Sequence, residues 1–268
     1  PLDGRPVFAY PWEGVTLVGT TDVDHRAAMH NEPAITPEEF SYLMMAIDFQ
    51  FPSLAIRPAD VLATYAGVRP VVDTGKADPS REGRDHAVWL EDGLLTVTGG
   101  KLTTFRLIAL DAMKHAQSLL PGWQPDLQPR RIFAETPPLP RHPALTSLQQ
   151  RRLTGRYGRH AAQLIAHANP DELTAIPGTE TLWAELRWAA RAEAVLHLDD
   201  LLLRRTRIGL LLREGGAAHL ERIRAICQPE LGWNDVRWHA EQQDYLAHWQ
   251  RHHGLPPQHL LPDWRPPR

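Results

Sequence analysis

Seven prolines fall between residues 121 and 144, at positions 121, 125, 129, 137, 138, 140 and 143. Each fixes φ near about −65° and removes an amide donor, so neither a helix nor a central strand can run through this stretch. It predicts an extended linker. The residue pattern differs on its two sides: residues 1–120 mix strand and helix signals, whereas residues 145–268 carry helical periodicity only. The expected class is α+β, with an incomplete sheet domain over 1–120, a Pro-rich linker over 121–144 and an all-α domain over 145–268.

The 268 residues are enough for two domains that each bury a core. Lys+Arg 29 against Asp+Glu 32 gives a net charge of −3, which argues against a dedicated nucleic-acid binder. A single cysteine, Cys227, excludes an internal disulfide and suits a reducing compartment. Its helical neighbours Leu220 and Ile223 predict a small core residue rather than a nucleophile. No run approaches the ~18 continuous apolar residues of a membrane-spanning helix. The chain opens on Pro1-Leu2-Asp3 with no Met, basic stretch or apolar signal core, and this start predicts a portion of a longer polypeptide.

In the first part, Pro6–Tyr10 and Gly14–Gly19 read as paired strands around a Pro-Trp-Glu turn. Thr36-Pro37-Glu38-Glu39 combines a cap, a proline at the first helical position and early acids, so a helix follows over 35–49. Residues 61–68 read as a strand leading to Arg69-Pro70, and residues 72–86 as a polar surface loop. Ala87–Leu90 and Leu94–Thr98 flank Glu91-Asp92-Gly93, a hairpin whose glycine supplies positive φ. Beyond the linker, helices are expected over 146–167, 180–196, 199–214, 217–227 and 234–252, followed by a Pro-rich tail over 256–268. Asn234 caps the last helix, which places Trp238, Tyr245 and Trp249 on one face. There is no internal repeat.

The chemistry concentrates at residues 95–110, LTVTGGKLTTFRLIAL. Leu95 and Leu102 occupy positions where a nucleotide-triphosphate loop needs Gly and Ser/Thr, so that reading fails. What remains is a strand, two glycines, Lys101 and a helix whose N-cap would be Thr103 or Thr104. Free amides and the helix dipole at such an end suit an anion. The same residues also make an ordinary strand-to-helix turn with a solvated lysine. A second cation, Arg69, ends the motif Tyr65-Ala-Gly-Val-Arg-Pro70, in which Gly67 clears space. If its strand adjoins that of Lys101, the two cations converge on a small phosphorylated or carboxylated substrate; otherwise Arg69 is a structural ion-pair residue. Arg204, Arg205 and Arg207 read as a solvated or ion-paired face. The fourteen histidines are scattered, and the adjacent His252 and His253 should point to different sides of a helix, so no metal site is expected. Gly-x-Gly-x-x-Gly, His-Glu-x-x-His, Cys-x-x-Cys and Gly-x-Ser-x-Gly are all absent.

Four motifs together resemble FAD-dependent glycerol-3-phosphate dehydrogenase, of the D-amino-acid-oxidase-like flavoproteins. They are Gly19-Thr-Thr-Asp22, Tyr65-Ala-Gly-Val-Arg-Pro70, Thr98-Gly-Gly-Lys-Leu-Thr-Thr104 and Asp199-Asp-Leu-Leu-Leu-Arg-Arg205, in that order. The likeness is strongest over 1–115 and looser in the helical part. It implies that residues 1–120 are the C-terminal part of a substrate- and FAD-side domain. Gly99, Gly100, Lys101, Leu102 and Thr103 would be FAD neighbours, Arg69 and Lys101 a clamp on the substrate phosphate, and Thr21 part of the pocket lining. The resemblance leaves the catalytic base unassigned.

The implied reaction is oxidation of glycerol 3-phosphate to dihydroxyacetone phosphate, with electrons passing through FAD to membrane quinone. The implied setting is cytoplasmic, peripheral on the inner face of the membrane, and compatible with a homodimer; no nucleic acid is expected. The family's N-terminal dinucleotide-binding half has no counterpart here, so the 268 residues alone are expected neither to retain FAD nor to turn over substrate. A glycerol-3-phosphate oxidase using O2 is the near alternative. A different class is a helical module over 145–268 that docks to a subunit or membrane through Trp183, Trp188, Trp233, Trp238 and Trp249. Those tryptophans equally suit a core.

Overall fold

The computed structural model describes residues 4–69, 85–128 and 132–263. Pro70, residues 72–84 of the expected loop, Pro129 and residues 264–268 of the tail lie outside the described residues. The chain forms two compact units: residues 1–21, 28–67 and 136–268 make one, and residues 22–27 and 68–135 the other. The first hairpin and helix therefore group with the helical region, while the Pro-rich stretch is shared between units.

The larger unit begins with an antiparallel hairpin, β1 (Phe8–Trp12) and β2 (Val15–Gly19), in register Trp12↔Val15. The turn is Glu13-Gly14, at φ 49° and 88°, the two left-handed residues that a tight hairpin with right-twisted strands requires. Pro11 and Trp12 thus belong to the strand, one turn later than the sequence suggests; Pro11 is tolerated because a two-stranded ribbon has free edges. Helix α1 (Pro37–Gln50) starts as expected, with Thr36 and Glu39 in a reciprocal capping box at 3.2 and 3.0 Å.

Residues 61–69 form no strand among the described residues. The segment is extended and docks on the end of a later helix: Thr64 N donates to His253 O (2.8 Å), and Thr64 Oγ1 to Gly254 O (3.1 Å). The backbone of Thr64 thus finds its partners there rather than in a sheet.

The smaller unit contains a second hairpin, β3 (His86–Glu91) and β4 (Leu94–Gly99), closed by Asp92-Gly93 at φ 47° and 80°. Helix α2 (Phe105–Ala116) follows. Among the described residues, none of the buried apolar ones belongs to this unit; Trp89, Leu94, Val97, Leu102 and Phe105 are all exposed.

The helical region returns to the larger unit with α3 (Ser147–Tyr157) and α4 (Ala161–His167), α5 (Trp183–Ala192), α6 (Ile208–Leu211), α7 (Leu220–Leu231) and α8 (Asp235–His252). The single helix expected over 146–167 is broken at Gly158, where φ is 54°. The span 199–214 is likewise split, into a π-helical turn over Asp200–Arg205 and the short α6, with Arg207 left-handed between them. Leu201 and Leu202 of this turn are fully buried, each contributing about 1.5–3 kcal/mol by transfer from water. Arg204 pairs with Asp200 (3.3 Å), and Arg205 Nε donates to Glu193 O (2.5 Å).

Two apolar clusters hold the region. One is centred on Leu186, Leu198, Ile208 and Ile223, and the other on Leu153, Leu164 and Leu182. Trp238, Tyr245 and Trp249 line the buried face of α8, as does Cys227 on α7. Trp183 and Trp233 are buried as well, which places these aromatic residues in the core. Tyr245 donates to Gly215 O (2.5 Å) and Trp249 Nε1 to Gly209 O (2.7 Å). A Cβ at Gly209 or Gly215 would stand 2.5 or 2.7 Å from the Tyr245 hydroxyl, so only glycine admits this approach.

A charged knot fastens the first hairpin to the helices. Glu13, at the hairpin tip, accepts from Arg152 at 2.9 Å and lies 3.5 and 3.4 Å from Arg156 and Arg207. Arg152 also donates to the fully buried Glu185 at 2.6 Å. Glu185 further accepts from Tyr157 Oη and from Leu182 N, both at 2.8 Å. Burial opposes ionisation of Glu13, but the Arg152 hydrogen bond and the surrounding guanidinium charges outweigh it and hold its carboxyl below the usual range.

Candidate functional site

The turn from β4 into α2 lies in the smaller unit. Gly99 and Gly100 both have positive φ, 75° and 79°, so the chain reverses where side-chain-bearing residues would be strained. A Cβ on Gly100 would fall 2.5 Å from Ile108 Cδ1 and 3.1 Å from His86 Cβ. Close packing of the turn on α2 and β3 therefore accounts for Gly100 by itself. His86 Nε2 lies 3.1 Å from Asp111 Oδ2, which ties the strand to the helix beneath the turn. Sequence reasoning missed this pair, because the spacing of the two residues carries no motif.

Lys101 is extended, at φ −123° and ψ 146°, and leads into a 3-10 turn over Leu102–Thr104. Neither threonine caps in the expected way. The Thr104 hydroxyl donates to Lys101 O at 3.0 Å, and no side chain caps α2. The 3-10 turn takes up the first amides at this helix end: Thr104 N donates to Lys101 O at 2.9 Å, and Phe105 N to Leu102 O. Lys101 is exposed, and Leu102 is 89% exposed; an apolar side chain so placed suits a ligand with a flat apolar surface.

Arg69, in the same unit, places Nη2 3.1 and 3.3 Å from the two carboxylate oxygens of Asp22. This contact joins two of the sequence motifs, Gly19–Asp22 and Tyr65–Pro70. Both side chains are about half exposed, 53% and 45%, so the pair orients the guanidinium more than it stabilises the fold. The strand expected to set Arg69 beside Lys101 is absent, because β3–β4 is a two-stranded sheet. Gly67 does not relieve crowding either: a Cβ there would meet nothing within 4 Å.

Thr21 belongs to the larger unit. Its hydroxyl donates to Glu39 Oε1 at 2.6 Å, so one carboxylate both caps α1 and anchors the Gly19–Asp22 segment. Among the described residues no helix is long and apolar enough to cross a membrane.

Two family models match in tandem, FAD dependent oxidoreductase over residues 1–106 and the C-terminal domain of alpha-glycerophosphate oxidase over residues 120–238. The chain belongs to the FAD-dependent oxidoreductases. Within that class it groups with the glycerol-3-phosphate dehydrogenases. It is 30% identical over 256 residues to glycerol-3-phosphate dehydrogenase 2 of Mycobacterium tuberculosis, a match spanning 90% of this chain and 43% of the relative. It is 31% identical over 258 residues to glycerol-3-phosphate dehydrogenase of Mycobacterium leprae, again 90% and 43%. Aerobic glycerol-3-phosphate dehydrogenase of Bacillus subtilis is 43% identical over 108 residues, 40% of this chain and 19% of the relative. The chain thus spans less than half the length of the curated relatives it matches.

Proposed function

We propose that this chain contributes the substrate-side and helical portions of a flavoprotein that oxidises glycerol 3-phosphate to dihydroxyacetone phosphate. The observation that carries the reading is the continuous similarity to glycerol-3-phosphate dehydrogenases over 256 residues, with an FAD-oxidoreductase match followed by the matching C-terminal domain. FAD, when bound, takes up the two electrons and the hydrogen released from the secondary alcohol. The turn at Gly99, Gly100, Lys101, Leu102 and Thr103 fits such a group, through two glycines at positive φ and the exposed apolar side chain of Leu102. Arg69, oriented by Asp22, and Lys101 bind the substrate phosphate. Fixing that end holds the reacting carbon in place and turns remote binding energy into alignment. The Thr21 hydroxyl is itself fixed by Glu39 within the larger unit. The exposed apolar side chains of β4 and α2 are a surface that cofactor and further protein would cover, so the isolated 268 residues bind FAD weakly and are inactive.

Quinone is the proposed electron acceptor, with the enzyme peripheral on the inner face of the membrane. Oxygen is a second reading, favoured by the match of residues 120–238 to a domain named for alpha-glycerophosphate oxidase. The test uses the native polypeptide that carries this sequence. Glycerol 3-phosphate should bleach its flavin absorbance, and parallel assays of quinone reduction and peroxide formation then assign the acceptor. A flavin that glycerol 3-phosphate leaves oxidised would overturn the proposal.

A further inference from the structure

Away from the flavin-side turn, several metal-competent side chains meet at the C-terminal end of α8, within the larger unit. His248 and His252 are one helical turn apart with ring centroids at 4.7 Å, and the ring of His253 lies 5.7 Å from that of His248. His253 does not continue the helix: it is the residue after its last turn, at φ −124° and ψ −12°. The rings of His252 and His253 thus both approach that of His248, and His253 shares a ligand-atom group with it. Glu32 brings Oε2 to 3.4 Å from His248 Nε2, and Asp199 Oδ2 lies 3.9 Å from the same nitrogen. One ligand atom from each of Glu32, His248 and His253 lies within 4.8 Å of the others.

Two details separate this group from an ordinary ion pair. His248 Nε2 is buried and has no hydrogen-bond partner, although a carboxylate oxygen is only 3.4 Å away. The two atoms face each other without an aligned N–H···O. Zinc bonds of about 2.0–2.1 Å at tetrahedral angles put neighbouring ligand atoms roughly 3.3 Å apart, close to the 3.4 Å between Glu32 and His248.

The second detail is the tautomer of His253. Its Nδ1 lies 3.0 Å from Thr64 O. A carbonyl only accepts, so Nδ1 carries the proton and Nε2 keeps its lone pair for a ligand. A backbone carbonyl behind the imidazole is the arrangement by which proteins orient metal-binding histidines.

We propose that Glu32, His248 and His253 bind a divalent transition-metal ion, zinc by the preference of this nitrogen and oxygen set. The donors need to close by roughly 1–1.5 Å to reach bonding distance. Such an ion fastens the irregular segment around Glu32 to the end of α8, and it stabilises the folded chain because only that state assembles the ligands.

The test is titration of the metal-free 268-residue chain with Zn2+ against a chromophoric chelator, with Co2+ absorption as a geometric readout. The expected result is one ion per chain, a tetrahedral Co2+ spectrum and a raised thermal midpoint. Glu32→Gln and His248→Gln should each weaken Zn2+ binding at least tenfold, while His239→Gln, at an exposed position on the same helix, changes nothing. Glu32 is 40% exposed on its side chain, so Glu32→Gln should keep the far-ultraviolet circular dichroism of the parent and remain informative if a histidine variant misfolds. Absence of stoichiometric binding overturns the proposal. Equal affinity in the parent, Glu32→Gln and His239→Gln also overturns it, since scattered surface histidines would then account for the uptake.

Discussion

Arg152→Ala should be among the most destabilising single changes in this chain. Arg152 donates to Glu185 (2.6 Å), to Glu13 (2.9 and 3.3 Å) and to Thr181 (3.2 Å). Truncation leaves the Glu185 carboxylate, fully buried, with only the Tyr157 hydroxyl, the Leu182 amide and Arg156 Nε at 3.8 Å. Removing one partner of a buried pair costs about 3–5 kcal/mol, because the remaining charge stays desolvated. For a unit of this size that loss lowers Tm by about 6–20 °C. Urea unfolding of the 268-residue chain, followed by tryptophan fluorescence, measures it directly. The double variant Arg152→Met, Glu185→Met should recover part of the loss, since it removes the stranded charge. A loss below about 1 kcal/mol for Arg152→Ala with the fold intact would refute the reasoning, for it would mean that Glu185 is neutral or hydrated.

Arg69→Ala and Lys101→Ala, made in the native polypeptide, should each reduce kcat/KM for glycerol 3-phosphate by about 1.5–3 kcal/mol, roughly 10–150-fold; unchanged kinetics for both would remove the phosphate clamp. Glu13, Glu172 and Glu230 are each held below the ordinary carboxylate range by arginine partners that outweigh burial. Their contribution is present above the unfolded pKa, about 4.3, and is lost as pH falls through the lower folded values, so stability should decline below about pH 5. Glu13→Gln should flatten that slope, as read from thermal midpoints between pH 3 and 7. Cys227 is fully buried, and burial pushes its thiol up; it should react with a thiol reagent only after denaturant is added.

The local features of the fold were legible because short-range chemistry specifies them. Glu13-Gly14 and Asp92-Gly93 close both hairpins, Thr36-Pro37-Glu38-Glu39 starts α1, and Trp238, Tyr245 and Trp249 share one face of α8. Features decided over long separations were not legible. Residues 61–69 have strand-like composition, yet the Thr64 amide and hydroxyl pair with the backbone of His253 and Gly254, and no periodicity reveals a partner so distant. The break at Gly158 depends on a left-handed φ that glycine permits without announcing it. At the candidate site the turn and its glycines were visible, whereas Asp22 behind Arg69, Asp111 behind His86 and the divided duty of Glu39 were not. Each of these carboxylates is matched to its cation or hydroxyl only by the folded chain.

The knot at Glu13 has a practical consequence for dissecting this protein. A boundary drawn at the prolines would split off residues 145–268 as if they were self-sufficient, yet doing so would strip Arg152, Arg156 and Arg207 of the counter-ion that the amino-terminal ribbon inserts among them. The excised piece would carry three crowded guanidinium groups with one inward carboxylate to balance them. Grafting the ribbon back, as a separate peptide bearing Glu13, should restore much of what the cut took away.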